Sequence, residues 1–199
     1  MAKYTQGATA IGEVTFANVF ETEKFKGEDT GKFTINVKFS EADTQALLKK
    51  IDEEWEAFKN SEEGQAHKYP MPYANGSHEY KDEISFKFAM KKSIKTRSGK
   101  MWERTVPIFD ASCKEISDSL TSLGRGSKVK VAYSLIPFYV NTRIYGISLR
   151  LEGVQVIDLV EAGKTTASSL GFGQEAGFKQ ADNDEAIANV PFSAEEGDF

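Results

Sequence analysis

The chain has one cysteine, Cys113, and two histidines, His67 and His78, among 199 residues. A lone cysteine cannot close an internal disulfide, so a disulfide-stapled secreted scaffold is excluded and a reducing compartment suits the chain. His67, His78 and Cys113 show neither CxxC nor HxxxH spacing, which leaves zinc without its usual ligand pattern. No Walker loop, GxSxG elbow or HExxH motif occurs, and Gly171-Phe172-Gly173 lacks the strand-to-helix context of a phosphate loop. No apolar run approaches the ~18 residues of a membrane span. The start, Met1-Ala2-Lys3-Tyr4-Thr5-Gln6, has no apolar signal core. These absences predict a soluble, intracellular, non-enzymatic protein without cofactor, metal or membrane partner. A nuclease with dispersed carboxylates is the enzymatic alternative that remains.

Hydrophobic residues make up 40% of the chain and aromatics 12%, enough for one domain that buries about 70% of its unfolded surface. A net charge of -5 argues against a polyanionic ligand until it is counted by segment. Residues 1–83 hold ten Lys/Arg against sixteen Asp/Glu, and residues 161–199 hold two against eight. Residues 84–160, with thirteen against six, are net +7. A basic middle is flanked by acidic ends. The last residues, Ser193 to Phe199, set Glu195, Glu196 and Asp198 beside a terminal aromatic ring, the composition of a peptide that a partner reads.

Gly12 to Phe20 and Phe33 to Phe39 read as strands, joined through a turn at Lys26 to Gly31. Ser40 and Asp43 form a capping-box-like start for a helix over Glu41 to Lys59, whose apolar residues Leu47, Leu48, Ile51, Trp55 and Phe58 share one side. Pro70 and Pro72 make Tyr69 to Gly76 a loop carrying two tyrosines. Ile84 to Lys91 alternates strictly, and Arg97-Ser98-Gly99-Lys100 turns it back towards Met101 to Phe109. Asp110 is expected to cap a second helix with Cys113, Ile116, Leu120 and Leu123 on its apolar stripe, closed by Gly124. Two further strands, Ser127 to Tyr139 and Thr142 to Val160, meet at Val140-Asn141. This order predicts a mainly β domain with two helices over residues 1–162. Its architecture is an OB-fold five-stranded Greek-key barrel with a helical and loop insertion at about 40–83, followed by a disordered acidic tail over 163–199.

Binding of single-stranded nucleic acid requires cations that follow phosphates and aromatic faces on which bases stack. Lys91, Lys92, Lys95, Arg97 and Lys100 crowd the basic hairpin, with Trp102 and Arg104 after its turn. Lys128 and Lys130 share one face of the next strand, and Tyr139, Arg143 and Tyr145 bracket the last hairpin. Taken singly, lysines at a hairpin tip are a solvated edge, and Trp102 and Tyr145 are core residues more often than stacking platforms. Repetition of the pattern through one barrel favours the nucleic-acid reading. The rival is an acidic protein-interaction module, or DNA mimic, that binds no DNA itself.

The stretches Met90 to Arg97, Val106 to Ala111, Gly126 to Val131 and Tyr145 to Leu151, followed by Val154 to Ile157, resemble phage single-stranded DNA-binding proteins of the T-seven type. So does the acidic, aromatic-ended terminus. The resemblance implies an OB barrel that coats single strands in replication, recombination and repair within the cytoplasm of an infected host cell. It implies duplex DNA as at most a weaker ligand, and a tail (Glu195, Glu196, Asp198, Phe199) that contacts replication proteins such as a DNA polymerase or helicase. The family's groove pattern carries onto Lys91, Lys92, Lys95, Arg97, Lys100, Trp102, Tyr139, Arg143 and Tyr145 as candidates. The tail departs in density, because Asp182, Asp184 and Glu185 form only a loose upstream group.

Overall fold

The computed structural model describes residues 4–80, 82–96 and 98–160, with side chains except that of Tyr80. The chain divides into two units, Met1–Lys164 and Thr165–Phe199, and the described residues all lie in the first. The acidic tail, and Arg97 in the basic hairpin, lie outside them.

The strands are β1 (Thr5–Ala8), β2 (Gly12–Asn18), β3 (Lys24–Phe25), β4 (Glu28–Asp29), β5 (Lys32–Lys38), β6 (Ser77–Tyr80), β7 (Glu83–Lys91), β8 (Ser93–Lys95), β9 (Met101–Glu103), β10 (Ile108–Phe109), β11 (Lys128–Asn141) and β12 (Ile144–Asp158). Helices α1 (Glu41–Lys59) and α2 (Glu62–Gln65) fall between β5 and β6. Five strands close a circuit. β2, β5 and β7 form an antiparallel meander, β7 meets β12 in parallel, β12 pairs with β11, and β11 returns to β2. That order is the OB barrel. The β7–β12 seam is a single bridge, Ala89 to Arg150, and β6 pairs with the first half of β7 beside it.

The barrel is filled by inward rows, among them Phe33, Ile35 and Val37 from β5, Phe86, Phe88 and Met90 from β7, and Ile147, Leu149 and Leu151 from β12. Each such side chain contributes about 1.5–3 kcal/mol when fully buried. Helix α1 begins as its sequence dictates: the Asp43 amide donates to Ser40 Oγ at 3.2 Å, and Ser40 Oγ donates to Asp43 Oδ2 at 2.6 Å. Such a cap is worth about 1 kcal/mol. Its buried face carries Leu47, Ile51 and Trp55.

The second helix expected after Asp110 does not form. Asp110 Oδ1 instead accepts from the amides of Ser112 and Lys114 at 2.8 and 2.9 Å and from Ser112 Oγ at 2.7 Å. Cys113 sits at φ 65°, outside helical space, and is exposed rather than on an apolar stripe. Ser117 Oγ accepts from the Ile108 amide at 2.9 Å and Ile116 N–H donates to the Ile108 carbonyl at 2.8 Å. Short polar side chains have captured the backbone groups a helix would have used. The Ser112 hydroxyl first, then the Lys114 amide, hold the Asp110 carboxyl below its ordinary range. The apolar anchors still reach the interior, with Leu123 buried and Ile116 and Leu120 packed against the core. The second helix of the domain is the short α2, Ser61-capped, in the insertion.

Candidate nucleic-acid interface

In an OB barrel the second and third strands and the loops around them carry the ligand face; here these are β5 and β7. Lys32, Thr34, Asn36 and Lys38 alternate with the buried row of β5, and Ser85, Lys87, Ala89 and Lys91 stand opposite them on β7. At the exit of β7 the β8–β9 ribbon projects. Arg104 fixes its base, with its amide on the Lys92 carbonyl at 2.7 Å and Nε and Nη2 on the Lys91 carbonyl at 3.2 and 3.0 Å. Thr96 fixes its turn, because Oγ1 accepts from the Lys100 amide at 3.1 Å and Gly99, at φ 83°, supplies the left-handed residue.

Ile94 pairs with Trp102, and Lys92 with Arg104 through that backbone bond. Strand alternation therefore puts Lys92, Lys100, Trp102 and Arg104 on one face of the ribbon, with Lys95, Met101 and Glu103 on the other. Trp102 is 58% exposed. Among the described residues none of Lys91, Lys92, Lys95 or Lys100 forms a salt bridge, whereas Lys38, Lys87, Lys128 and Arg150 on the barrel wall pair with Glu83, Glu23, Glu13 and Glu152. Beside the ribbon, β3 and β4 make a second small hairpin whose turn residues Lys26 and Gly27 both have positive φ, as a two-residue I′ turn requires. Its Phe25 is 66% exposed under the Lys26 ammonium. The Lys92 amide donates to the Gly31 carbonyl, tying the two hairpins together.

The opposite end differs. Because β12 runs parallel to β7, the turn before β12 lies at the other end of the barrel from the ribbon after β7. There Tyr73, Trp55, Tyr145, Tyr139 and His67 form one ladder of near-parallel rings, with successive centroids at 5.0, 5.8, 5.8 and 3.9 Å. Tyr69 meets Trp55, Tyr145 and Tyr139 edge-on. Tyr145 is 3% exposed, and its hydroxyl accepts from the Met71 amide and donates to the Met71 carbonyl. Burial, the largest influence on it, raises the pKa of the Tyr69 phenol. Gly146 lets the insertion close on this hairpin, since a Cβ there would stand 2.0 Å from the Ala74 carbonyl oxygen.

The structure thus splits the sequence candidates. Lys91, Lys92, Lys95, Lys100, Trp102 and Arg104 come together at one end. Tyr139 and Arg143 lie at the other, with Tyr145 in the core beneath Tyr139. Lys128 and Lys130 are on the outer row of β11, the barrel strand that pairs with neither β5 nor β7, and Lys128 binds Glu13 at 2.8 Å. His67, His78 and Cys113 lie apart, in the ring ladder, on β6 and in the Asp110 turn; among the described residues no group of three His, Cys, Asp or Glu is placed to hold a metal. None of the described helices is long and apolar enough to cross a membrane.

The family described as "Single-stranded DNA-binding protein, Bacteriophage T7" matches residues 14–159. The chain belongs to this family of phage single-stranded DNA-binding proteins. Solved structures share its fold: gp2.5, the single-stranded DNA-binding protein of bacteriophage T7, is 21% identical, with a TM-score of 0.63 over 90% of this chain and all of that one. The single-stranded DNA-binding protein of bacteriophage Enc34 is similar both in complex with ssDNA (12% identity, TM-score 0.56, 80% of this chain and 89% of that one) and as solved alone (14%, 0.55, 83% and 89%). No curated protein sequence matches the chain.

Within this phage-protein fold, sequence reasoning passed over residues of the β5–β7 face. Phe16 is the clearest. Strict alternation puts it on the same side as Val14, but an irregularity between Val14 and Phe16 pairs it with outward Asn36 and leaves it 50% exposed. Lys24 and Phe25, which the sequence reading assigns to no element, and Lys26, read as turn, repeat the cation-plus-aromatic composition that marked the basic hairpin.

Proposed function

We propose that this protein binds single-stranded DNA without strong sequence preference, coating and protecting it during phage DNA replication, recombination and repair in the infected host cell. The observation that carries the reading is the open face of the β8–β9 ribbon: an exposed indole on one face with Lys92, Lys100 and Arg104, whose lysines form no salt bridge among the described residues. A base stacked on an aromatic ring contributes about 1–3 kcal/mol whatever its identity. The strand would enter at the ribbon (Lys91, Lys92, Lys95, Arg97, Lys100, Trp102, Arg104), cross the β5–β7 face past Phe16 and leave by Tyr139 and Arg143. Tyr145 would hold the Tyr139 ring from below, and Lys128 and Lys130 would add positive potential from the far wall. The acidic tail ending in Glu195, Glu196, Asp198 and Phe199 would compete for the groove in the free protein and contact a DNA polymerase or helicase once displaced. The tail rests on its sequence alone: net -6 over 161–199 against +7 over 84–160.

Fluorescence anisotropy of a labelled dT oligonucleotide across a salt series, with matched duplex as competitor, tests this. The expected result is affinity that falls with salt at a log-log slope of about -0.7 per phosphate neutralised, a weaker duplex, and tighter binding after deletion of residues 163–199. Absence of binding at low salt by both full-length and tail-deleted protein would overturn the reading in favour of the DNA-mimic alternative.

A further inference from the structure

The centre of the β5–β7 face is closed by the protein's own carboxylate. Lys87, in the outer row of β7, donates to both oxygens of Glu23 at 2.7 and 3.0 Å. Glu23 lies 64 residues earlier, on the segment that joins β2 to β5. That segment returns over the outer row of β5 and is pinned by two backbone bonds, Glu23 N–H to the Lys32 carbonyl at 2.8 Å and Thr30 N–H to the Glu23 carbonyl at 2.9 Å. The side chains of Lys87 and Glu23 keep 33% and 20% of their exposure, so the pair stands at the surface, within reach of a ligand.

A second observation falls on the same line. Four buried side-chain polar atoms among the described residues have no partner, and three of them are Thr30 Oγ1, Thr34 Oγ1 and Asn36 Oδ1. Thr34 and Asn36 belong to the outer row of β5, and Asn36 is the cross-strand partner of Lys87. Thr34 is 0% exposed although it belongs to that row. Asn36 also lines an open groove with Thr15, His78, Ser85, Arg125 and the Lys38–Glu83 pair. Unsatisfied polar atoms are costly in a purely structural surface; the two threonine hydroxyls can donate to a phosphate oxygen, whereas Asn36 Oδ1 only accepts and takes a donor such as a base N–H.

We infer that Glu23 is a carboxylate stand-in for a DNA phosphate: Lys87 forms a phosphate subsite in the middle of the binding face, held shut in the free protein by Glu23 and opened when the strand displaces it. This rests on the reading that the chain binds single-stranded DNA. Glu23 and a phosphate present the same chemistry to an ammonium, two anionic oxygens at hydrogen-bond distance, so the exchange keeps Lys87 neutralised and releases Glu23 to solvent. The subsite also places Phe16, the cross-strand partner of Asn36, where the adjoining base stacks.

The test is a double-mutant cycle on the full-length chain: wild type, Glu23→Gln, Lys87→Gln and the double variant, each titrated with labelled dT oligonucleotide across a salt series and each melted without DNA. The backbone bonds that pin the strap do not involve the Glu23 side chain, so Glu23→Gln is expected to fold. It should bind several-fold more tightly at low salt, this gain should vanish in the Lys87→Gln background, and Lys87→Gln should flatten the salt slope by about 0.7, the one phosphate it no longer neutralises. If the gain persists without Lys87, Glu23 is only a repulsive background charge and the subsite is refuted. If Glu23→Gln lowers the melting temperature but leaves affinity unchanged, the pair is a structural ion pair and the inference fails while DNA binding stands. If wild type and Glu23→Gln both fail to bind at low salt, and the chain without residues 163–199 fails as well, the functional reading itself fails.

Discussion

The two ends of the barrel are built from the same kinds of residue and are finished in opposite ways. At the ribbon end Trp102 stands in solvent among lysines that form no salt bridge with a described carboxylate, Asp29 acting on Lys92 only through space. At the other end Trp55, Tyr69, Tyr73, Tyr139, Tyr145 and His67 pack on one another, ring against ring, with the buried Tyr73 hydroxyl left without a partner among the described residues. Each such pair adds about 0.5–1.5 kcal/mol beyond its buried area. Aromatic content therefore does not mark a binding surface by itself. What separates a stacking platform from a core is whether distant chain returns to cover it, and at the second end the insertion between β5 and β7 does so.

That contrast is sharpest at the two tryptophans. Trp55→Ala should remove about 3–5 kcal/mol of stability, the cost of emptying a buried aromatic site, read as a lower denaturation midpoint. Trp102→Ala should leave that midpoint in place and weaken dT binding by about 1–3 kcal/mol. Exchange of these two outcomes would erase the distinction between the ends.

The lysines give a smaller, charge-based version. Replacing Lys92 and Lys100 together with Gln should flatten the salt slope for dT binding by about 1.4, two phosphates' worth. The same change at Lys128 and Lys130 should alter it far less, since those side chains lie on β11 and Lys128 already holds Glu13. Equal slopes for the two double variants would place the DNA path elsewhere on the barrel.

Much of this was legible beforehand because it was local. The Ser40–Asp43 cap and the Leu47, Ile51, Trp55 stripe specify α1 within one segment, and long runs of Val, Ile, Leu and Tyr specify β11 and β12. The chain after Asp110 was misread because Cys113, Ile116, Leu120 and Leu123 keep helical spacing while Asp110, Ser112 and Ser117 bind backbone groups, a competition that spacing does not register. The edge strands β1 and β6 are short and lack alternation. At the site, the basic hairpin was visible as composition, but the burial of Tyr145 depends on Met71 and Trp55, which lie 74 or more residues earlier in the chain. Phe16 depends on an irregular register that no alternation rule predicts.

The smallest expected effect concerns the Asp110 turn. Its carboxyl and that of Asp29, which the Gly31 amide chiefly stabilises, both sit below their ordinary ranges. A depressed folded-state pKa means the stabilisation is present above the unfolded value and is lost as pH falls through the folded one. Asp110→Asn should therefore melt slightly below wild type near neutral pH and converge with it in acid. A constant gap down through the carboxylate range would show that the charge is irrelevant to the turn.

The central claim is that DNA stacks on Trp102 of the open ribbon and leaves Trp55, inside the ring ladder, untouched. Tryptophan emission separates the two directly, because the chain has one indole at each site. Titration of the wild-type protein with dT oligonucleotide should quench its fluorescence, and Trp102→Phe, which keeps an aromatic face and leaves Trp55 as reporter, should bind yet show little quenching. Undiminished quenching in Trp102→Phe would place the strand against Trp55 and contradict the account.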